Sequence, residues 1–593
     1  MLKSWSFRSF LLVVLAISTL SVAHYMKGPI RVIDYDVSGY YAYLPAIFIY
    51  DDLKDLNWRP EIIKKYNLNG LDDCTPERES GATVIKYPVG MAISYLPGFT
   101  AAHLYATLSD STADGYSIPY HLGLILIGWL YMLIALWYLR KLLSIYFEDW
   151  IVALTLIIIA LGTNYYIYAG SHTMMSHAFL FMLFALVIYH TTQWYRDPTF
   201  KRITGIGLLL GLISITRPTE ILLTLVVLFW SVYNLQSFKS RIKLLLECKL
   251  HLLAAMIGAV MVISIQLIYW KYSSGDWIVY SYEGEGFSWD GRYIKECFIG
   301  FRKGWLIYTP IMLFGIIGLY PMYKQKNTTK ISLPIILFLL IITYIIFSWD
   351  NYWYGGGFGQ RAMISSYVLF SIAIAALLQF LSQKSNWVKC FSGAFILFCV
   401  WLNIFQSFQA QVWGGFETSN MTQKYYFKIF GERDVNPDWK VYLDNKDAKM
   451  GAIKKSTPLF NANFENELGS IERRYKGSKS VKITKGVNTL LFQPISSLKK
   501  GQRLRAEIIV SGIRRNWNRE KMTNFHIQLL SNGEVVRDQS VRLQDVSRNK
   551  EWKIIHVDIK VKQNNIDQIK VLTRSNYEEN VVFVDNLKVS IIE

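Results

Sequence analysis

The chain has 593 residues, 52% of them hydrophobic and 15% aromatic. So apolar a composition excludes an ordinary soluble protein and indicates a polytopic membrane protein. The formal net charge of +19 fits lysines and arginines on cytoplasmic loops and attraction to anionic lipid. No basic run coincides with a nucleic-acid module, which argues against a nucleic-acid partner.

The first element is basic and then apolar, "MLKSWSFRSFLLVVLAISTLSVAHYM". It lacks a convincing small-residue cleavage site and more hydrophobic runs follow, so it reads as a retained first span rather than a signal peptide. Runs of spanning length, allowing for tilt, fall at roughly 8–27, 118–139, 150–168, 176–194, 203–216, 219–236, 251–272, 307–323, 331–348, 363–382 and 390–409. The short loops set the sides. Lys3 and Arg8, Arg140 and Lys141, Arg196 with Lys201 and Arg202, Lys239 through Lys249, Lys324 with Lys326 and Lys330, and Lys384 with Lys389 belong inside. About eleven spans then leave the C-terminal part outside. The run at 85–108 is treated as interfacial or re-entrant, because a span there would force Arg140 and Lys141 outside. Basic loops flank the pair 203–216 and 219–236, so the chain goes out and returns, with Arg217 and Glu220 at the tip in "TRPTE".

With these sides fixed, polar clusters gather on the outer face. They are Asp34 and Asp36 in "RVIDYDVSGYYAYLP"; Lys86 in "IKYPVG"; Asp114 in "DGYSIPYH"; His172 and His177 in "GSHTMMSH"; and Arg217 and Glu220. Tyr282, Glu283 and Glu285 in "YSYEGEGF", Arg302 and Lys303 in "FRKGW", and Asp350 to Arg361 in "DNYWYGGGFGQR" join them. Polar groups near a bilayer are costly and mark a pathway or a site. The five cysteines, Cys74, Cys248, Cys297, Cys390 and Cys399, show no metal-ligand spacing. Cys74 and Cys297 both fall outside and can pair, although nothing demands it.

From about residue 455 the pattern changes to period two. Leu504, Ala506, Ile508 and Val510 alternate with Arg503, Arg505, Glu507 and Ile509, and Ile555, Val557, Ile559 and Val561 alternate with His556, Asp558 and Lys560. Asn532-Gly533 in "SNGE" signals a hairpin. Short strands at this spacing predict an antiparallel β-sandwich of ~130 residues outside the membrane.

Carboxylates and cations together at a lipid–water boundary suit transfer from a lipid-linked phosphate donor. Such a reaction needs a base for the acceptor hydroxyl and cations where charge builds on the leaving phosphate. Aspartate fits the first role, and lysine and arginine the second. Asp34 and Asp36 can also hold a divalent cation such as Mg or Mn, since hard cations prefer carboxylate oxygens.

"DVSGYYAYLPAIFIYDDL", "KYPVGMAISYLPGF", "DGYSIPYH" and "WDNYWYGGGFGQR", with an outer β-domain, resemble the GT-C superfamily of integral-membrane glycosyltransferases. That group includes protein O-mannosyltransferases, oligosaccharyltransferases and aminoarabinose transferases. The resemblance implies a GT-C-like transmembrane domain over 1–430 with a large first outer loop at 28–117. A linker at 431–454 and the outer sandwich, jelly-roll-like, at 455–593 follow. It implies an inverting enzyme of the bacterial cytoplasmic membrane, with its N-terminus inside and its C-terminal domain outside. The donor is a polyprenyl-phosphate sugar and the acceptor a hydroxyl on a glycan, lipid or protein. Asp36, or else Asp34, matches the first-loop catalytic carboxylate, and Lys86 matches a lysine that contacts lipid phosphate, with Tyr87 where that segment has proline.

Each of these residues has a plainer reading beside it. Asp36 and Asp34 can be solvated interfacial acids, with helix capping open to Asp34, and Lys86 a snorkelling lysine. Arg361, expected on phosphate or sugar, can instead anchor Asp350 across a glycine-rich loop. Gly355, Gly356, Gly357 and Gly359 make no nucleotide fingerprint. They allow a tight turn or close backbone approach. Arg217 and Glu220 can form an internal ion pair, and Glu283 and Glu285 a solvated loop, in place of substrate contacts. Tyr40 and Tyr41 are assigned to the substrate entrance, although aromatic belts explain tyrosines there as well. His172 and His177, five apart, read as structural. The closing "VVFVDNLKVSII" resembles the last strand of jelly-roll carbohydrate-binding modules, which often hold a structural calcium. Glu465 and Asp585 are its candidates, and a structural cap is the alternative role for that domain. Against the enzyme stand a transporter or scaffold for lipid-linked glycans and a polyprenyl-diphosphate glycan polymerase or ligase. A transporter should show internal repeats, which are not seen.

Overall fold

In the computed structural model the apolar runs are helical; Pro218 and Asn234 mark breaks, while Pro97, Pro321 and Pro334 lie inside helices. The structure describes residues 4–78, 81–282, 284–465, 473, 475, 477, 479–495, 498–512, 522–546, 551–576 and 581–593. Two compact units divide between Trp413 and Gly414.

The first unit, Met1–Trp413, is helical. Among the described residues, five of its helices are long and apolar enough to cross a membrane: Trp5–Tyr25, Ile118–Leu143, Lys249–Ser274, Thr329–Phe347 and Asn386–Trp413. They make this unit a multi-pass membrane domain. Other expected spans are shorter or interrupted. Helices Asp149–Gly162, Phe200–Ser214, Met312–Lys324 and Tyr367–Ser382 are only 13–16 residues long. The run expected to span at 219–236 does not form one long helix. Pro218 opens a 3-10 turn that passes into Leu223–Leu228. Ser231 then takes φ 65°, and Asn234, capping Ser237 N–H at 2.8 Å, starts a new helix at Leu235.

At one end of the long helices, Asp149 gathers Ser4 Oγ at 2.7 Å and Ser6 Oγ at 2.5 Å, and Arg140 Nε donates to Ser6 Oγ at 2.9 Å. These residues flank the loops assigned to the inside. The other end carries the segment read from the sequence as the first outer loop. It is built from helices Asp36–Tyr41, Tyr43–Phe48, Arg59–Tyr66, Leu71–Cys74 and Gly90–Leu108. Gly90–Leu108 packs tightly on Ile118–Leu143: a Cβ on Gly98 would stand 2.5 Å from the Gly123 carbonyl oxygen. Small residues permit that approach.

The second unit, Gly414–Glu593, starts earlier than the sequence boundary at 430. The stretch assigned as a linker is not one. Its helix Val441–Asp444 puts Val441 into the sandwich core. Asp444 accepts Arg542 N–H at 3.1 Å, Asp447 pairs with Arg537, and Asn445 Nδ2 donates to the Asp558 carbonyl at 2.8 Å. The described residues that follow form nine strands: β1 (Ser456–Ala462), β2 (Val481–Ile483), β3 (Gly486–Pro494), β4 (Arg503–Gly512), β5 (Asn524–Ser531), β6 (Glu534–Arg542), β7 (Lys553–Lys560), β8 (Gln568–Ser575) and β9 (Val582–Ile592). They form two antiparallel sheets, β1-β9-β4-β7 with β2 also on β9, and β3-β8-β5-β6. The alternating residues expected inside are there: Leu504, Ala506, Ile508, Val510, Ile555, Val557 and Ile559 share one core with Phe525, Ile527 and Ile569 of the other sheet. Asn532 and Gly533, at φ 53° and 79°, make the expected β5–β6 turn.

Candidate active site

Asp34 and Asp36 are two apart, and ordinary extended backbone would point both to one side. Tyr35 between them prevents this. Its φ of 49° with ψ −128° is a strained conformation for a non-glycine residue. Its N–H is tied to the Asn69 carbonyl at 2.8 Å. A Cβ on the neighbouring Gly70 would lie 2.6 Å from Tyr35 Cα, so only glycine fits there. The kink splits the two acids. Asp34 accepts Arg31 Nη2 at 2.9 Å and the Asn69 N–H at 2.8 Å, which ties the loop to itself. Asp36 opens the helix Asp36–Tyr41 and faces the other way.

Asp36 is the centre of the site. Tyr87 Oη donates to its Oδ1 at 2.7 Å, and Arg361 Nη2 donates to its Oδ2 at 2.7 Å. A quarter of its side chain is exposed. Arg361 therefore pairs with Asp36, not with Asp350. Asp350 instead accepts the Ser288 hydroxyl and binds Gly286 through its N–H at 2.9 Å. Burial opposes the charge of Arg361, but the Asp36 carboxylate, with Tyr168 and Tyr40, raises its pKa above the ordinary arginine value. Its Nε has no hydrogen-bond partner among the described residues.

The glycine loop makes room for this arginine. Gly355 and Gly359 have φ of 66° and 60°. A Cβ on Gly357 would meet Tyr168 Oη at 2.5 Å. Tyr168 Oη accepts the Phe358 N–H at 3.1 Å, and buried Lys303 donates to the Gly357 carbonyl. Arg302 stacks on Trp353, 3.7 Å from its ring centre.

Tyr87 is locked by its neighbours. Its ring lies 4.4 Å from that of Tyr40 and 6.0 Å from that of Tyr282. Its carbonyl accepts Tyr43 Oη at 2.7 Å. Gly39 leaves the space: a Cβ there would stand 2.8 Å from Tyr87 Cδ2 and 2.6 Å from Cys74 Cβ. Burial, with Asp36 nearby, pushes the Cys74 thiol up to about 12. Cys74 and Cys297 are both free rather than paired.

Two further cations flank the centre. Lys86 Nζ donates to Glu285 Oε1 at 2.7 Å and sits 5.1 Å from the Tyr282 ring centre. Arg217 Nη1 reaches Glu220 Oε1 at 3.5 Å and the Ala362 carbonyl at 3.2 Å, with the Tyr354 ring 5.3 Å away. Glu220 is fully buried and also accepts Ser365 Oγ at 3.1 Å.

Other expected residues fall into supporting places. Tyr41 is fully buried and donates to the Gly115 carbonyl at 2.6 Å, so it braces the loop rather than lining an entrance. Tyr40 is nearly as buried and lies 3.4 Å from Ser176 Oγ. Asp114 joins Lys65 and Tyr66; burial opposes its charge, but these hydrogen bonds hold its carboxyl below the usual range. His172 is pushed down to about 4 by burial, His24 and Arg361, and His177 packs edge-on against Tyr168. Glu283 lies outside the described residues.

A divalent cation fits poorly here. Both Asp36 oxygens already accept hydrogen bonds, one from a guanidinium, and Asp34 turns away to Arg31. Among the described residues no group of three or more His, Cys, Asp or Glu is placed to hold a metal. This includes Glu465 and Asp585 in the second unit; Asp585 is fully buried and accepts the Asn586 N–H at 2.8 Å.

The sequence reading passed over Tyr87 as a carboxylate partner and Ser365 as a support for Glu220. The only signal for Tyr87 was its place beside Lys86 in "KYP"; Ser365 gave none.

No family model and no curated protein matches the chain. Among solved structures, it is similar to the oligosaccharyltransferase AglB of Archaeoglobus fulgidus, in complex with an inhibitory peptide and a dolichol-phosphate. The identity is 11%, 74% of this chain and 58% of that one are covered, and the TM-score is 0.40. It is also similar to the arabinosyltransferase EmbB of Mycobacterium smegmatis, at 10% identity, 97% and 64% coverage and TM-score 0.33. The chain spans less than two thirds of the length of either transferase. The xylan-binding CBM22-1 domain of Paenibacillus barcinonensis Xyn10C matches 24% of this chain over 99% of its own length, at 12% identity and TM-score 0.19. At TM-scores this low the functional reading rests on the residues of the site.

Proposed function

We propose that the chain is a membrane glycosyltransferase of the GT-C type that moves a sugar from a polyprenyl-phosphate donor to an acceptor hydroxyl. The observation that carries this reading is the Asp36 carboxylate, fixed between Tyr87 and Arg361 yet a quarter exposed. Each of its oxygens accepts one hydrogen bond and keeps capacity for another. An acceptor hydroxyl donating to Asp36 is thereby oriented, and its proton passes to the carboxylate as the oxygen attacks the anomeric carbon. The bond from that carbon to the phosphate oxygen breaks with inversion, and the electron pair leaves on the polyprenyl phosphate. Lys86, Arg217 and Arg361 are the cations that stabilise this growing charge.

The site belongs on the outer face of a bacterial cytoplasmic membrane in this reading. Its support is the sequence distribution of lysine and arginine, which places Arg140 and its neighbours inside.

The test is transfer of labelled sugar by the full-length protein in liposomes. A panel of polyprenyl-phosphate sugars is supplied with membrane extract as acceptor. Asp36→Asn is expected to lower transfer by about 10²–10⁴-fold, while Asp34→Asn, which only loosens the loop, keeps much of the activity. Full activity in both variants sinks the proposal.

A further inference from the structure

Three cations meet three carboxylates around the site, one to one: Lys86 with Glu285, Arg217 with Glu220, and Arg361 with Asp36. Each of these three pairs is formally neutral by itself, and Lys303 and Arg302 lie by the glycine loop. An incoming phosphate gains the full charge of one of these cations when its carboxylate yields its place.

The three pairs differ in how firmly the acid is held. Glu220 is fully buried and bonded to Ser365 as well as Arg217. Asp36 is held from two sides, by Tyr87 and Arg361. The Glu285 carboxylate has Lys86 as its one hydrogen-bond partner among the described residues. Both members of that pair are about a quarter exposed, at 24% and 26%. The backbone around Glu285 is fixed independently of its carboxylate. Tyr280 Oη donates to the Glu285 carbonyl at 2.7 Å, the Gly286 carbonyl accepts Asp350 N–H at 2.9 Å, and Ser281 Oγ donates to the Lys86 carbonyl at 2.6 Å. A rotation of the Glu285 side chain alone thus frees Lys86. The lysine is a compact charge with three rotatable donors, so it accepts a tetrahedral phosphate as readily as a planar carboxylate.

We infer that Glu285 is an exchangeable internal anion: the phosphate of the lipid carrier takes its place on Lys86. The exchange is one negative charge for one, so the site selects a carrier linked through a single phosphodiester over one linked through a diphosphate. A phosphodiester restores the neutral balance of the Lys86 pair. A diphosphate brings an additional charge that the exchange at Lys86 does not balance. This rests on the donor class proposed above and adds the group that enforces it.

The experiment uses the full-length protein in nanodiscs of zwitterionic lipid, with binding read by native mass spectrometry. The probes are farnesyl methyl phosphate and farnesyl methyl diphosphate, which carry no sugar. Wild type is expected to prefer the monophosphate. A partly exposed ion pair is worth up to about 1 kcal/mol, so Glu285→Gln should tighten monophosphate binding by up to about fivefold. Lys86→Ala should weaken it, and adding Glu285→Gln to Lys86→Ala should restore nothing. Unchanged or weaker binding in Glu285→Gln overturns the exchange while leaving the lipid-phosphate reading intact. Preference for the diphosphate overturns the charge-matching argument. If neither probe binds wild type or any variant, the donor class itself falls, and this inference with it.

Discussion

Two arginine–aspartate pairs, one in each unit, show how the same chemistry serves structure in one place and leaves a site open in the other. In the sandwich, Arg505 on β4 and Asp558 on β7 stand directly opposite each other. Arg505 binds both oxygens of Asp558, at 2.7 Å and 2.9 Å, and the Lys449 N–H adds a third bond at 2.8 Å. Asp558 is fully buried. In the helical unit, Arg361 gives Asp36 one hydrogen bond, keeps an unpartnered Nε, and leaves a quarter of the carboxylate side chain exposed. The first pair is saturated and lies on the sheet face away from the core, where Asn445 and Lys449 bond to Asp558. The second is held in place but retains bonding capacity, as the proposed reaction requires.

Substitution should separate the two pairs cleanly. Asp36→Asn is expected to lower transfer activity by about 10²–10⁴-fold at a smaller cost in melting temperature than Asp558→Ala, because the amide oxygen still accepts from Arg361 and the amide nitrogen can donate to Tyr87 Oη. Asp558→Ala should leave Arg505 buried and unpaired, at a cost of about 3–5 kcal/mol to the second unit. Hydrogen exchange across β4 and β7 in the full-length protein measures it. If Asp36→Asn unfolds the helical unit instead, the site is structural and the contrast fails.

The sequence was legible where one local rule decides the outcome. Alternation in Leu504–Val510 and Ile555–Ile559 reports burial of one strand face directly, and Asn532-Gly533 reports its own turn. The expectation that polar clusters come together was drawn from the loop charges, and Asp36 with Arg361 and Lys86 with Glu285 do meet. Pairings across long separations were not legible. Asp36 meets Arg361 from 325 positions away, and Lys86 meets Glu285 from 199. Nothing in "WDNYWYGGGFGQR" distinguishes Asp36 from Asp350 as the partner of Arg361. The choice between Asp34 and Asp36 turns on the positive φ of Tyr35, which a tyrosine does not advertise. The broken run at 219–236 hid behind apolar residues that satisfy a span by composition, although Pro218 and Asn234 mark its interruption.

Glycine sharpens the comparison at a finer scale. Gly39 has ordinary helical backbone, and its restriction is crowding by Tyr87 and Cys74. Gly39→Ala should push the Tyr87 ring away from Asp36. Overpacking of this kind costs about 1–3 kcal/mol, and the displaced carboxylate should lower transfer by up to about a hundredfold. Thermal unfolding and the transfer assay together check it. Loss of activity greater than loss of stability is the signature expected of a positioning defect.

Gly533, in the sandwich, is the opposite case. A Cβ there meets nothing within 4 Å, so space is not the issue. Its φ of 79° is the constraint, because the turn between β5 and β6 needs the left-handed region at this position. Gly533→Ala should therefore cost about 1 kcal/mol through backbone strain alone. Transfer activity should be unaffected, since the residue lies in the other unit from Asp36. The effect should be nearly the same for alanine and serine, because both add a Cβ and neither meets a neighbour, whereas asparagine, which tolerates positive φ, should recover part of the loss. Equal destabilisation by asparagine and alanine would show that something other than conformational strain holds this turn.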